Sequence, residues 1–143
     1  MNHLFDQWID LMHRWSIPLL RYALALVFLW FGLLKVMGAS PVVGMIQQSY
    51  SFFPYPWFIT VLGLWEIVIG LGLLTGKAPR TTLTLLWLQM LGTLASPIFA
   101  PHLFFALGNP FYLTTLGEFV IKNIVLVAAS FVIAGYTIKP YYS

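Results

Sequence analysis

The chain of 143 residues has no cysteine and very little charge, seven Lys or Arg and four Asp or Glu. Without a thiol it has no disulfide framework, thiol nucleophile or cysteine metal site, and cysteine usage says nothing of its redox compartment. No GxGxxG opens a helix and no phosphate-binding loop is present, so nucleotide chemistry has no cradle. No HExxH, Glu-x-x-His or His pair at helical spacing falls within an apolar stretch, which leaves haem and di-metal centres without ligands, and no metal is expected. His3 and His13 are too far apart for a simple metal pair, and His102 stands alone in a loop. Soluble globular chains carry roughly 25% charged residues; this one carries 8%, with 60% hydrophobic residues and 17% aromatics. A mean hydropathy of +0.88 excludes disorder, and a soluble fold of this length could not hide so much apolar surface. The composition is that of a membrane protein.

Four stretches are long and apolar enough to cross a hydrocarbon core about 30 Å thick, which takes roughly 20 helical residues. They run over about 17–37, 57–74, 81–99 and 113–138. The first is too long for a signal-peptide core and has no A-x-A-like cleavage site after it, so it is expected to stay in the mature chain. Ahead of it, Leu4, Phe5, Trp8, Leu11, Met12 and Trp15 recur at helical spacing, with Asp6, Gln7, Asp10, His13 and Arg14 opposite. That pattern predicts a helix over 1–15 lying in the membrane interface. A turn at Ser16, Ile17 and Pro18 would then open the first span. The expected fold class is an all-α integral membrane protein. It is a single transmembrane domain over 1–143, built as a four-helix bundle with an N-terminal amphipathic interfacial helix.

The formal charge of +3 is one-sided and reports topology, not nucleic-acid binding. Arg14, Lys77, Arg80 and Lys139 mark one side, while the stretches 38–56 and 100–112 contain no Lys or Arg. Positive-inside logic puts both termini and the Lys77 to Arg80 turn in the cytoplasm, with two apolar, Pro-containing loops outside. In the first loop, Val42 to Phe53 is expected to form a short helix. Phe52, Phe53, Tyr55, Trp57 and Phe58 would then make an aromatic collar. Such a collar can anchor the chain at headgroup depth or form part of a quinone or lipid-headgroup site.

Ionisable side chains inside a membrane are costly, so they are the first functional candidates. At about 1.5 Å per residue, Lys35, Glu66, Glu118 and Lys122 all fall in the outer half, where they would form one cluster. Gly63, Glu66 and Gly70 share a helix face that another helix can approach closely. Gln89, Gly92, Thr93 and Ser96 make a polar stripe on the third span, and Glu118 and Lys122 form an i, i+4 acid-base pair next to Asn123. Two readings stay open. Lys35 with Glu66 and Glu118 with Lys122 could simply fasten helices together. Alternatively, Lys35, Glu66, Gln89, Glu118, Lys122 and Asn123 could line a pocket for an acidic or quinone-like ligand. Gly72 and Gly76 make a GxxxG match, a weak dimerisation signal.

Residues 21–35 resemble the R-x-x-L-A-x-V-F-x-W-x-G-L-L-K opening of the DoxX-like membrane proteins, in particular their YkgB-like branch of inner-membrane proteins associated with reactive-chlorine resistance. Trp65 to Leu74 is similar to that family's E-x-x-x-G-x-x-L-L helix, and Leu116 to Leu126 to the branch's E-x-x-x-I-K-N-x-V-L segment. The first outer loop is much shorter here than in the YkgB-like pattern. The resemblance implies a four-helix transmembrane bundle in the inner membrane and a link to quinone-connected oxidoreductases or oxidative-stress defence, with Arg21, Lys35, Glu66, Glu118, Lys122 and Asn123 as the matching polar positions. It brings no agreed catalytic role for them, and the chain has no self-contained catalytic motif. The expected function is therefore a quinone-interacting or accessory subunit of a redox system. No cofactor is evident beyond a quinone, and electrons would come from a redox partner protein. The alternatives are a small-solute transporter or channel, whose path a homodimer could enclose, and a purely structural or assembly subunit in the lipid bilayer.

Overall fold

The computed structural model of the chain describes residues 2–38, 46, 48, 50, 57–109 and 111–138. The described residues are almost entirely helical. In chain order they form α1 (Asn2–Val36), α2 (Trp57–Thr75), α3 (Pro79–Phe99), a short α4 (Pro101–Phe104), a 3₁₀ turn (Ala106–Gly108), α5 (Thr115–Ile121) and α6 (Asn123–Thr137). Of these, α1, α2 and α3 are long and apolar enough to cross a membrane.

α1 is one helix of 35 residues, about 52 Å long, and it runs straight through the turn expected at Ser16 to Pro18. Pro18 lacks only the N–H that would have reached the Arg14 carbonyl. Arg14 itself is exposed, so its carbonyl can find another donor. Residues 2–16 are exposed throughout. Burial begins in the second half, along the stripe Leu24, Phe28, Gly32 and Lys35, with Ala25 beside it. Its spacing of four and three residues keeps one face turned to α2.

α2 runs antiparallel to α1 and buries Ile59, Gly63, Glu66, Ile69, Gly70 and Leu73. It stops at Gly76, whose φ of 68° is left-handed and favours glycine. Pro79 then starts α3 in the first-turn position that suits it. Gly32 and Gly63 make the close approach of α1 and α2 possible. A Cβ on Gly32 would stand 2.7 Å from the Gly63 carbonyl oxygen, and one on Gly63 2.8 Å from that of Gly32.

The fourth apolar stretch differs most from expectation, since 113–138 is not one uninterrupted regular helix. Phe105 and Leu113 form an isolated antiparallel bridge, so helix begins only after the Thr114 cap, whose hydroxyl accepts from the Gly117 N–H at 3.0 Å. At Lys122 the helix tightens, and the Val125 N–H reaches back three residues to the Lys122 carbonyl at 3.0 Å. The result is α5 followed by α6, neither of them long enough to cross a bilayer alone.

Two apolar cores hold the bundle. Leu24, Phe28, Ile69, Leu73, Leu83, Leu86, Met90 and Ile133 pack together in the half that carries the α2–α3 turn. At the opposite end, Ile46, Ile59, Ala100, Phe104 and Val120 form the second. Half-buried indole N–H groups find acceptors on neighbouring helices, Trp65 on the Leu85 carbonyl at 3.0 Å and Trp87 on the Ser130 hydroxyl at 2.8 Å. Leu19, Leu26, Trp30, Leu64, Leu91, Ile98, Val125 and Phe131 face outward. Water would make such a surface unstable, whereas lipid suits it.

Candidate functional site

Lys35 and Glu66 meet where α1 and α2 are closest. The Lys35 ammonium donates to both carboxylate oxygens of Glu66, at 2.8 and 2.9 Å, and the two residues are only 7% and 3% exposed. Gln89, reaching in from α3, donates from Nε2 to Glu66 Oε1 at 2.8 Å. A carboxylate accepts and never donates, so the Gln89 amide nitrogen must face it. Three helices are thereby tied at one point, and the pair carries no net charge into the apolar interior. With two N–H groups committed to Glu66, the third Lys35 N–H is the donor left for another acceptor.

Beside this knot lies a cavity of about 260 Å³ bounded by α1, α2, α3, α6 and the loop before α2. Lys35, Glu66, Gln89, Thr93, Ser96 and Asn123 supply its polar groups, while Phe31, Phe58, Leu62, Trp65 and Leu126 supply apolar wall. An engineered cavity of about 150 Å³ is enough for a benzene molecule. This one accommodates a substituted six-membered ring, with most of any attached tail left outside.

Tyr50 was not visible as a site residue in the sequence. Its hydroxyl donates to the Gly92 carbonyl, its ring packs against Phe58 and Phe99, and it lines the cavity. Burial pushes the Tyr50 phenol above its ordinary pKa, with a hydrogen bond to Ser96 pulling the other way, so at neutral pH it remains an uncharged donor. Gly92 and Ser96 are one helical turn apart on the expected polar stripe, and that stripe is the only sign of Tyr50's landing place.

The expected convergence of four charged groups does not occur. Glu118 and Lys122 are both exposed, and Lys35–Glu66 is the only ion pair among the described residues. The break at Lys122 puts that residue at a junction, not on a buried helix face, while Asn123, next in the chain, reaches the cavity wall. Of the aromatic collar, Trp57 is exposed at the start of α2. Phe52, Phe53 and Tyr55 lie outside the described residues. His102 is exposed. Gly72 and Gly76 are turned into this chain's own bundle, Gly72 against Thr82 and Gly76 against Arg21, which leaves that GxxxG face unavailable to a second copy.

Comparison with known proteins adds one finding. The DoxX family pattern matches residues 16–103, more than half of the chain. That stretch runs from the middle of α1 into α4 and includes Arg21, Lys35, Glu66 and Gln89, whereas Glu118 and Lys122 fall beyond it. No curated protein and no solved structure matches the chain.

Proposed function

The chain belongs to the DoxX family of membrane proteins, and from that premise we propose that it binds a small ring-bearing amphiphile of the quinone type in the cavity beside Lys35, Glu66 and Gln89. The observation that carries this reading is the meeting of a mostly apolar, ring-sized cavity with a few fixed polar groups, the usual form of a small-ligand site. The uncommitted Lys35 N–H would donate to a ring carbonyl, and Asn123 or Thr93 would orient the opposite edge. The ring faces of Phe31 and Phe58 would hold the apolar body. Electrons would come from a redox partner protein.

In this reading the chain is an accessory inner-membrane subunit of a redox or oxidative-stress system, of the kind its resemblance to the YkgB-like branch implies. α5 and α6 together complete a fourth pass, because they continue through a helical Lys122 over a combined length of about 34 Å. The amphipathic start of α1 extends from the first span on the cytoplasmic side, the side to which the charge asymmetry assigns the basic α2–α3 turn and both termini. Glu118 and Lys122 would serve at the outer surface, as contacts to a partner or to a second copy.

The hydrogen bonds of the Lys35–Glu66 pair favour a second reading, an assembly subunit whose ion pair fixes the register of α1 on α2. A titration separates the two. A short-chain ubiquinone analogue added to detergent-purified protein should quench Trp65, which lines the cavity, in a saturable way, and Gln89→Leu should weaken that binding several-fold while leaving the helical signal intact. Unsaturable quenching, equal in both proteins, would leave only the assembly reading.

A further inference from the structure

A second pocket, of about 360 Å³, lies at the end of the bundle that carries the α2–α3 turn. Its walls come from α1, α2, α3 and α6, and its polar members are Arg21, Thr82 and Thr137. Arg21 is held in an unsatisfied state. Arg21 makes no ion pair among the described residues, its Nε is buried without an acceptor, and its one hydrogen bond runs from Nη2 to the Tyr22 hydroxyl at 3.1 Å. Thr82 is only 5% exposed, and its side chain lines the same pocket.

The glycines of α2 hold this pair in place. Thr82 packs directly on Gly72 and the Arg21 guanidinium directly on Gly76. These glycines are one helical turn apart, so Arg21 and Thr82 enter the pocket on one face of α2, separated by about 6 Å along its axis. A side chain at 72 would collide with the Thr82 hydroxyl, and one at 76 would both meet Arg21 and strain a left-handed backbone. The GxxxG spacing thus makes room for two donors within the chain.

No Asp or Glu side chain among the described residues answers them. The chain has four acidic residues. Glu66 is committed to Lys35, Asp6 and Asp10 lie on the exposed first half of α1, and Glu118 is on α5 towards the other end of the bundle. Lys77 on the adjoining turn adds a further positive charge. A half-buried guanidinium without a counter-ion, with a buried Nε that lacks an acceptor, calls for an anion bearing several acceptor oxygens, and the Thr82 hydroxyl beside it is a further donor. Basic pockets between helices at the membrane edge suit phosphate-bearing headgroups.

We propose that Arg21 and Thr82 form a binding site for a phosphate-bearing anion, the headgroup of an anionic phospholipid or free phosphate. Arg21 donates two N–H groups to phosphate oxygens, the Thr82 hydroxyl donates to a third, and Leu83 and Ile133 give an acyl chain an apolar path.

The test is thermal unfolding of the detergent-purified full chain at about 0.15 M salt, where diffuse surface attraction is largely screened. Dioctanoyl phosphatidylglycerol, dioctanoyl phosphatidylcholine and inorganic phosphate are added separately. Phosphatidylglycerol should raise the Tm saturably and phosphatidylcholine should not. Inorganic phosphate matching the glycerolipid would identify a free-phosphate site, and phosphate without effect a lipid-headgroup site. Arg21→Gln should raise the apparent Kd at least tenfold and the nearly isosteric Thr82→Val about threefold, whereas Lys77→Gln should change it less than twofold. Equal shifts with the two lipids, or an undiminished shift in both Arg21→Gln and Thr82→Val, would overturn the site. So would a Lys77→Gln effect as large as that of Arg21→Gln, which would mark a diffuse basic surface instead. Because Thr82→Val preserves side-chain shape, the site stays testable even if Arg21→Gln does not fold.

Discussion

The molecule carries two acid-base sets of the same composition, Lys35 with Glu66 and Lys122 with Glu118, and it treats them in opposite ways. The first is buried between helices and joined by two hydrogen bonds. Both members of the second are exposed, and no ion pair joins them. Residue type does not separate the sets, and sequence spacing favours the wrong one, since acid then base at i, i+4 is a recognised helix-stabilising pair. What separates them is the backbone opposite. Gly32 and Gly63 bring α1 and α2 so close that Lys35 and Glu66 have nowhere to go but towards each other. Glu118 and Lys122 stand at or near the α5–α6 junction, on a side that no other helix among the described residues covers. In a membrane bundle, small residues on the facing helix decide which charges become internal.

Substitution should break this symmetry in a definite order. Lys35→Met leaves Glu66 buried without its counter-charge and should cost about 3–5 kcal/mol, measured as unfolding free energy in mixed micelles. Adding Glu66→Leu should recover most of that loss, because an apolar pair of similar volume needs no neutralisation. Gly63→Leu drives α1 off α2 and should cost about 2 kcal/mol, with lower ligand affinity because the polar knot is pulled apart. Gln89→Leu removes one hydrogen bond to a charged acceptor and should cost about 1.5 kcal/mol. At the other set, Lys122→Met and Glu118→Gln should each stay within about 0.5 kcal/mol. A Lys122→Met loss as large as that of Lys35→Met would erase the distinction between the two sets.

Much of the fold can be read from the sequence, because hydropathy and helical period act locally. The second and third apolar stretches, expected over 57–74 and 81–99, appear as Trp57–Thr75 and Pro79–Phe99. Gly63, Glu66 and Gly70 share the face that meets α1, as their spacing requires. The failures arise where the outcome depends on one turn. Pro18 does not end α1, because losing a single hydrogen bond in an exposed helix costs less than breaking 35 residues of continuous helix. The Phe105–Leu113 bridge shortens the fourth stretch from its start, and the turn at Lys122 divides it. Both come from contacts between segments, which periodicity within one segment does not report. Of the site, Lys35, Glu66 and Gln89 stand out in sequence as polar groups in apolar surroundings. The Tyr50 contact with Gly92 does not, because its partner is 42 residues away. The Arg21 and Thr82 pocket shows only as a GxxxG spacing, whose ordinary reading is dimerisation.

The cavity beside Lys35, Glu66 and Gln89 is most directly tested by what it holds when the protein leaves the membrane. Protein purified in a mild detergent would be extracted with organic solvent and the extract analysed by mass spectrometry for quinones and lipids, in parallel with Glu66→Gln. The account predicts a quinone in near-stoichiometric amount with the native chain and its loss from a Glu66→Gln protein that remains helical. Equal quinone content in the two, or none in either, would contradict it.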